Sequence, residues 1–301
     1  MLAALVAFWG SNFMFVKLGV AAVPPATLVA ARLAIGAVVL VAVVRALGYT
    51  LPPLGRAWTP YVVLAIVGNC LPFWFITWGQ QHIDSALAGI LMAIMPLVTM
   101  VLAHRFVSGE RMTMSLVAGF LLGFVGVVVL MGPAALSGTG RAPLEIVAQC
   151  SVLAGAFCYA VNSVIARVSL RGNLLVASAA IIAVAALVSL PVALVLDEPW
   201  RLAPSGQSLA LIIWIGVGPT AIATLVYFEL IRSAGPTFTS LVNYLAPSVA
   251  VVLGVALLGE EPDPAAYLGL ILILAGIAIS QLRRTASDRS GARTDPSSPS
   301  S

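Results

Sequence analysis

Residues 86–132 read ALAGILMAIMPLVTMVLAHRFVSGERMTMSLVAGFLLGFVGVVVLMG. This is an apolar helix holding Pro96, a short polar turn Ser108-Gly109-Glu110-Arg111, and a second apolar helix carrying Gly119, Gly123 and Gly126. The plan returns over residues 239–280 as TSLVNYLAPSVAVVLGVALLGEEPDPAAYLGLILILAGIAIS, with Pro247, the turn Gly259-Glu260-Glu261, then Gly269 and Gly276. Gly109-Glu110 and Gly259-Glu260, Gly119 and Gly269, and Gly126 and Gly276 share one offset of 150, from which Pro96 and Pro247 depart by one residue. A fixed long-range period of this kind is the mark of an internal duplication.

Composition sets the solvent in which the two copies fold. The 301 residues are 61% hydrophobic and 9% charged, where a soluble domain carries about 25% charged residues. Apolar runs of about 20 residues, long enough to cross a bilayer, recur along the whole chain. Ten spans can be drawn: 2–22, 25–45, 59–80, 85–105, 113–132, 145–167, 174–196, 208–231, 236–258 and 264–282. The fold class is therefore an all-α polytopic membrane protein of ten transmembrane helices, arranged as two five-helix repeats at 1–132 and 145–282. Residues 133–144 read as a periplasmic linker. Residues 283–301, rich in Ser, Pro and Arg, read as a disordered cytoplasmic tail. The first residues lack the basic n-region and A-x-A site of a signal peptide. Because almost nothing precedes span 1, the natural start is expected slightly upstream.

Arginine and lysine positions orient the chain. With the N-terminus inside, cytoplasmic loops and tail carry eleven such residues, among them Arg45, Arg105, Arg111, Arg167, Arg171 and Arg232; the opposite side carries Arg141 and Arg201. Lys17 and Arg32 lie within spans. Both termini are thus expected in the cytoplasm. Five spans per copy is an odd number, so the second copy enters the membrane inverted, the arrangement on which secondary transporters build inward- and outward-open states. The net charge of +4 is spread over loops and tail and does not suggest nucleic acid. Cys70, Cys150 and Cys158 fall in or beside apolar spans as packing residues. No metal or cofactor motif is present: there is no Walker lysine, HExxH, or Gly-x-Ser-x-Gly elbow.

Span 1 reads AFWGSNFMFVKLG and span 6 reads AFCYAVNSVIARVS; the same offset pairs Trp9 with Tyr159, Asn12 with Asn162 and Lys17 with Arg167. The proline helix, Gly-Glu turn and glycine helix, present twice, together with the WGSN start and its following lysine, resemble the drug/metabolite transporter superfamily, and within it the EamA-type ten-helix transporters. The resemblance covers about residues 2 to 282. It implies a secondary transporter, an alternating-access carrier exporting small organic metabolites such as amino acids or drugs across the bacterial inner membrane. It also implies a central cavity among helices 1, 3, 4, 6, 8 and 9. Carried onto this sequence, the expected lining is Trp9, Asn12, Trp74, Tyr159, Asn162, Tyr227, Asn243 and Tyr244.

The residues themselves leave alternatives open. Asn12 and Asn162 must turn inward from lipid, which suits either a substrate path or interhelical glue. Pro96 and Pro247 remove a backbone bond at mid-membrane and are expected as hinges, or as simple kinks. For the charges, Lys17–Glu260 and Arg167–Glu110 are expected as two alternating gate contacts, set against ordinary snorkelling. Arg32 resembles the family's span 2 arginine and needs an interior partner. Glu229 is the best single carboxylate for coupling, which leaves proton antiport and passive exchange both open. Gly119-x-x-x-Gly123 permits close helix approach, as scaffold or as the contact of a weak homodimer rather than a monomer. A non-transporting membrane scaffold or receptor, or an intramembrane enzyme, would need no such cavity.

Overall fold

The computed structural model of the chain describes residues 1–53, 55–107, 112–131 and 143–281. Eight helices are long and apolar enough to cross a membrane: α1 (Leu2–Ala22), α2 (Pro25–Ala46), α3 (Thr59–Gly79), α4 (Ser85–Phe106), α5 (Met114–Met131), α6 (Pro143–Ser169), α7 (Leu174–Leu196) and α8 (Gly206–Gly235). Two shorter apolar helices follow, α9 (Val242–Leu258) and α10 (Pro264–Gln281). All ten expected spans are present, and among the described residues there is no strand.

The most extensive interfaces join α5 to α10 and α2 to α7. Further contacts join α1 to α9, α3 to α6, α4 to both α6 and α9, and α1 to α8. Advancing each helix by five carries this set onto itself: α1–α9 becomes α6–α4, and α3–α6 becomes α8–α1. The α5–α10 seam is built on the glycines of the duplicated stretch. A Cβ at Gly119 would meet the carbonyl of Gly276, and one at Gly126 would stand 2.8 Å from the carbonyl of Gly269. Removing the side chains lets the two backbones touch, where dispersion is gained over the whole seam. The Gly119-Gly123 face is thus consumed inside the chain and offers no bare surface to a second copy.

Helix breaks differ from the sequence reading. In α4 the α-helical ladder stops at Met92 and restarts at Met95, so the break at Ala93–Ile94 precedes Pro96, which occupies the first turn of the restarted helix. Proline is tolerated there because its missing N–H has no partner to lose. Pro247 instead lies inside α9, and the turn on that side is at Ser240–Leu241. Between α8 and α9 the chain kinks at Gly235, whose positive φ of 84° is open to glycine at no steric cost. Helices α3 and α8 each contain a π-helical segment, Ile66–Cys70 and Gly216–Ile222. Their first residues are separated by the same 150 positions as the glycines.

One end of the bundle gathers the α1–α2, α3–α4, α7–α8 and α9–α10 connections. Carboxylates from the second half cap helix N-termini of the first half there. Asp197 Oδ2 accepts from the Thr27 amide at 2.6 Å. Glu260 accepts from the Ser85 amide and hydroxyl, both at 2.8 Å, and from the Ala86 amide at 2.9 Å. An anion at a helix N-terminus meets orphan N–H groups and a favourable dipole. Gly259 makes this reach possible: at φ 66° it closes α9 in the left-handed conformation and swings Glu260 back over Gly254, where a Cβ would collide with the carboxylate.

Candidate functional site

The polar centre of the molecule is built around Arg32, which lies inside α2 and is 3% exposed. A cation in a membrane-spanning helix must face the bundle and find partners. The partners are neutral. Thr220 Oγ1 accepts from Nε at 3.3 Å and from Nη2 at 3.1 Å, and Asn12 Oδ1 accepts from Nη2 at 3.1 Å. The guanidinium also lies over the Phe73 ring, 3.9 Å from its centroid, a cation–π contact strengthened by desolvation. Phe73 in turn meets the Tyr159 ring edge-on at 6.3 Å. Helices α1, α2, α3, α6 and α8 thus converge on one cluster.

The α8 π segment serves it. Within the α8 segment, the Thr220 hydroxyl donates to the Ile215 carbonyl at 2.8 Å, so its lone pairs turn toward Arg32. The widened turn brings Gly216 under α2, where a Cβ would meet Ile35 at 2.7 Å. In the α3 segment Gly68 leaves the space filled by the Asn162 side chain, which a Cβ would overlap. π turns shift the helical phase by about one residue and recur at functional sites.

The other expected lining residues divide into groups. Trp9 packs on Tyr227 across α1 and α8, ring centroids 5.4 Å apart. Trp74 stacks on Trp78 of its own helix at 6.4 Å and 14°. Asn243 is half-buried at the α9 break, with its amide donating to the Ser240 carbonyl at 3.0 Å. Tyr244 packs with Phe13 and Trp78 against the α4–α6 core, and its buried hydroxyl has no hydrogen-bond partner among the described residues. The cluster therefore brings Asn12 and Tyr159 together through Arg32 and Phe73. Among the described residues, no hydrogen bond or ring contact joins Trp74, Asn243 or Tyr244 to Arg32. Phe73 is not singled out by the sequence, because a phenylalanine in an apolar span carries no signal of its own; Thr220 stands out with Thr224 as a polar residue of span 8, though outside the expected lining.

The gate charges require correction. Lys17 does not pair with Glu260. Its Nζ donates to the carbonyls of Gln80 at 3.0 Å and Ile83 at 2.8 Å, the orphan acceptors that close α3, while Glu260 caps α4. Both charges hold the same α3–α4 turn from opposite sides, and Gln80 Nε2 adds a bond to the Phe13 carbonyl at 2.9 Å. Asp84, in that turn, has its carboxyl pushed up by burial and then by the neighbouring Glu260 charge, with Lys17 opposing. Glu229 is not an interior carboxylate: it pairs with Arg232 one turn away at 2.8 Å, both side chains well exposed. Arg167 is exposed near the end of α6; its expected partner Glu110 lies outside the described residues. An open groove of about 560 Å³ lies elsewhere, between α1, α8 and α9, lined by Phe8, Phe15, Trp214, Val249 and Leu253. Its one hydroxyl, on Ser11, bonds back to the Ala7 carbonyl at 2.5 Å, so the groove presents an almost wholly apolar lining.

Comparison with known proteins places this geometry. The EamA-like transporter family matches residues 1–132 and again 146–282. The aromatic amino acid exporter YddG of Ancylobacter novellus is 30% identical over 262 residues, covering 87% of this chain and 89% of the relative. The uncharacterized inner membrane transporter YedA of Escherichia coli K12 is 26% identical over 284 residues, 93% of this chain and 89% of the relative. A Streptantibioticus cattleyicolor protein named "Probable terminal-alkyne amino-acid exporter" is 28% identical over 288 residues, 95% and 93% of the two chains. A crystal structure 24% identical in sequence superposes with a TM-score of 0.66 over 92% of this chain and 95% of that one, a likeness of fold.

Proposed function

The chain belongs to the EamA-like transporter family and is a small-molecule membrane transporter, and we propose that it is an alternating-access exporter of amino acids or closely similar amphipathic solutes. The observation that carries this reading is the Arg32 cluster. It is a buried polar site at the meeting of α1, α2, α3, α6 and α8, with Thr220 supplied by the π segment of α8. Residues 1–132 and 145–282 act as two inverted halves that rock about it. The aromatic pairs Trp9–Tyr227 and Phe73–Tyr159 suit an apolar or aromatic side chain. The names of the two amino-acid exporters among the relatives support the same substrate class.

The arginine distribution supports cytoplasmic termini, which puts the carboxylate-capped end outside the inner membrane. The conformation described is then one in which Asp197 and Glu260 tie the halves together on the outer side. The carboxylates support facilitated exchange rather than proton antiport, since Glu229 is held by Arg232 near the bundle surface and Glu260 is committed to a helix end. Counterflow of labelled L-phenylalanine in proteoliposomes, with and without an imposed pH gradient, tests the reading. Saturable exchange that is lost in Tyr159→Ala and insensitive to the gradient is expected. An absence of flux for every amino acid from folded, reconstituted protein would refute it.

A further inference from the structure

The donors of the central cluster are only partly used. The Nε–Nη2 edge of Arg32 is filled by Thr220, and the second Nη2 hydrogen by Asn12. Nη1, with two N–H donors, donates to nothing among the described residues. Asn12 accepts from Arg32 through Oδ1, which fixes its amide so that Nδ2, with two further donors, is also unpaired among them. Among the described residues no carboxylate contacts the guanidinium, so the groups around it contribute dipoles and a ring face but no counter-charge. A buried cation left this way is costly, and the two Nη1 hydrogens, beside the amide of Asn12, remain as donors for an anion.

We infer that Arg32 Nη1 and Asn12 Nδ2 form the binding site for the carboxylate of the transported solute, with Phe73 and Thr220 holding the guanidinium in place. The inference rests on the transporter reading and deepens it: the solute is an acid or a zwitterion, and the site rejects amines of the same shape that lack a carboxylate. Discrimination of this kind is steep, because a ligand without the carboxylate leaves buried donors unpaired. Asn12 and Arg32 sit on α1 and α2 and Thr220 on α8, so an anion bound here neutralises charge between the two halves.

The test uses purified full-length protein in nanodiscs, with binding read from thermal stabilisation and intrinsic fluorescence. The probes are L-phenylalanine, 3-phenylpropionate and L-phenylalaninamide. Wild-type protein is expected to bind both acids and to disfavour the amide by at least about tenfold. Arg32→Gln should weaken both acids roughly 10- to 100-fold, the range for a hydrogen bond to a charged group, and leave the amide unchanged; Arg32→Lys should recover part of the loss. Asn12→Asp supplies an internal carboxylate to Arg32 and should abolish acid binding in a well-folded protein, which keeps the idea testable if Arg32→Gln fails to fold. Equal binding of acid and amide by wild type, or parallel loss of both in folded Arg32→Gln, overturns the inference. Arg32-dependent binding of 3-phenylpropionate without L-phenylalanine retains the carboxylate site and refutes amino acids as the substrate. Binding of neither acid overturns the site.

Discussion

Replacing Glu260 by alanine should loosen the start of α4 by an amount that the structure allows to be estimated. The carboxylate accepts three bonds at 2.8–2.9 Å, two of them from the amides of Ser85 and Ala86, and both residues are fully buried. Charge-assisted bonds contribute about 1.5–3 kcal/mol each, but Glu260 itself is only half-buried, so water can replace part of what is lost. Loss of a helix cap in such settings costs about 0.5–2 kcal/mol. An overall weakening of about 2 kcal/mol corresponds to roughly 30-fold faster exchange of the two amides when local opening limits exchange. Hydrogen-exchange mass spectrometry on peptides spanning the α3–α4 turn reads this directly. Glu260→Gln should fall between wild type and Glu260→Ala, since one amide oxygen can still accept, whereas Glu261→Gln should change nothing there. Unchanged protection at Ser85 and Ala86 in Glu260→Ala would refute the capping argument.

Two other outcomes follow from the packing and the charges. Asp84 has its carboxyl raised, first by burial and then by Glu260, so the folded state disfavours its charged form. That penalty is absent below the ordinary carboxylate range and grows as pH rises through it. Asp84→Asn should therefore raise the melting temperature slightly at neutral pH, with the gain fading as pH falls toward 4; a pH-independent difference would contradict this. Gly276→Val should destabilise the α5–α10 seam by about 1–3 kcal/mol through overpacking, because a Cβ there already overlaps the Gly119 carbonyl. Thermal unfolding should show the loss while ligand preference in the surviving folded protein stays as in wild type, and a shift in preference would place α5 and α10 in the site.

Much of the architecture could be read from spacing alone. The 150-residue offset and the lengths of the apolar runs give ten helices, and those helices are present because bilayer thickness and backbone hydrogen bonding leave the chain few choices. Asn12, Trp9, Tyr159 and Tyr227 could be picked as inward-facing because polar and amphipathic side chains are costly in lipid. The partners of the charges were not legible. Lys17 binds backbone carbonyls and Glu260 binds backbone amides, and every residue has such groups, so no sequence pattern announces them. Arg32 invited a search for an acidic partner, yet it is held by a threonine hydroxyl and an asparagine carbonyl. Pro96 suggested a mid-helix kink, but the chain breaks two residues earlier so that the ring can occupy a first turn.

The π segments carry a historical consequence. A π turn is an α-helix with one residue too many for its register, the trace left when a single codon is inserted into a helix and tolerated. One such surplus residue in each half, at Ile66 and at Gly216, is most simply inherited from a five-helix ancestor that already carried it. Arg32 beside the second π segment, whose counterpart 150 residues on is the buried Ile182, then marks where the two copies, once joined in one chain, were free to become different.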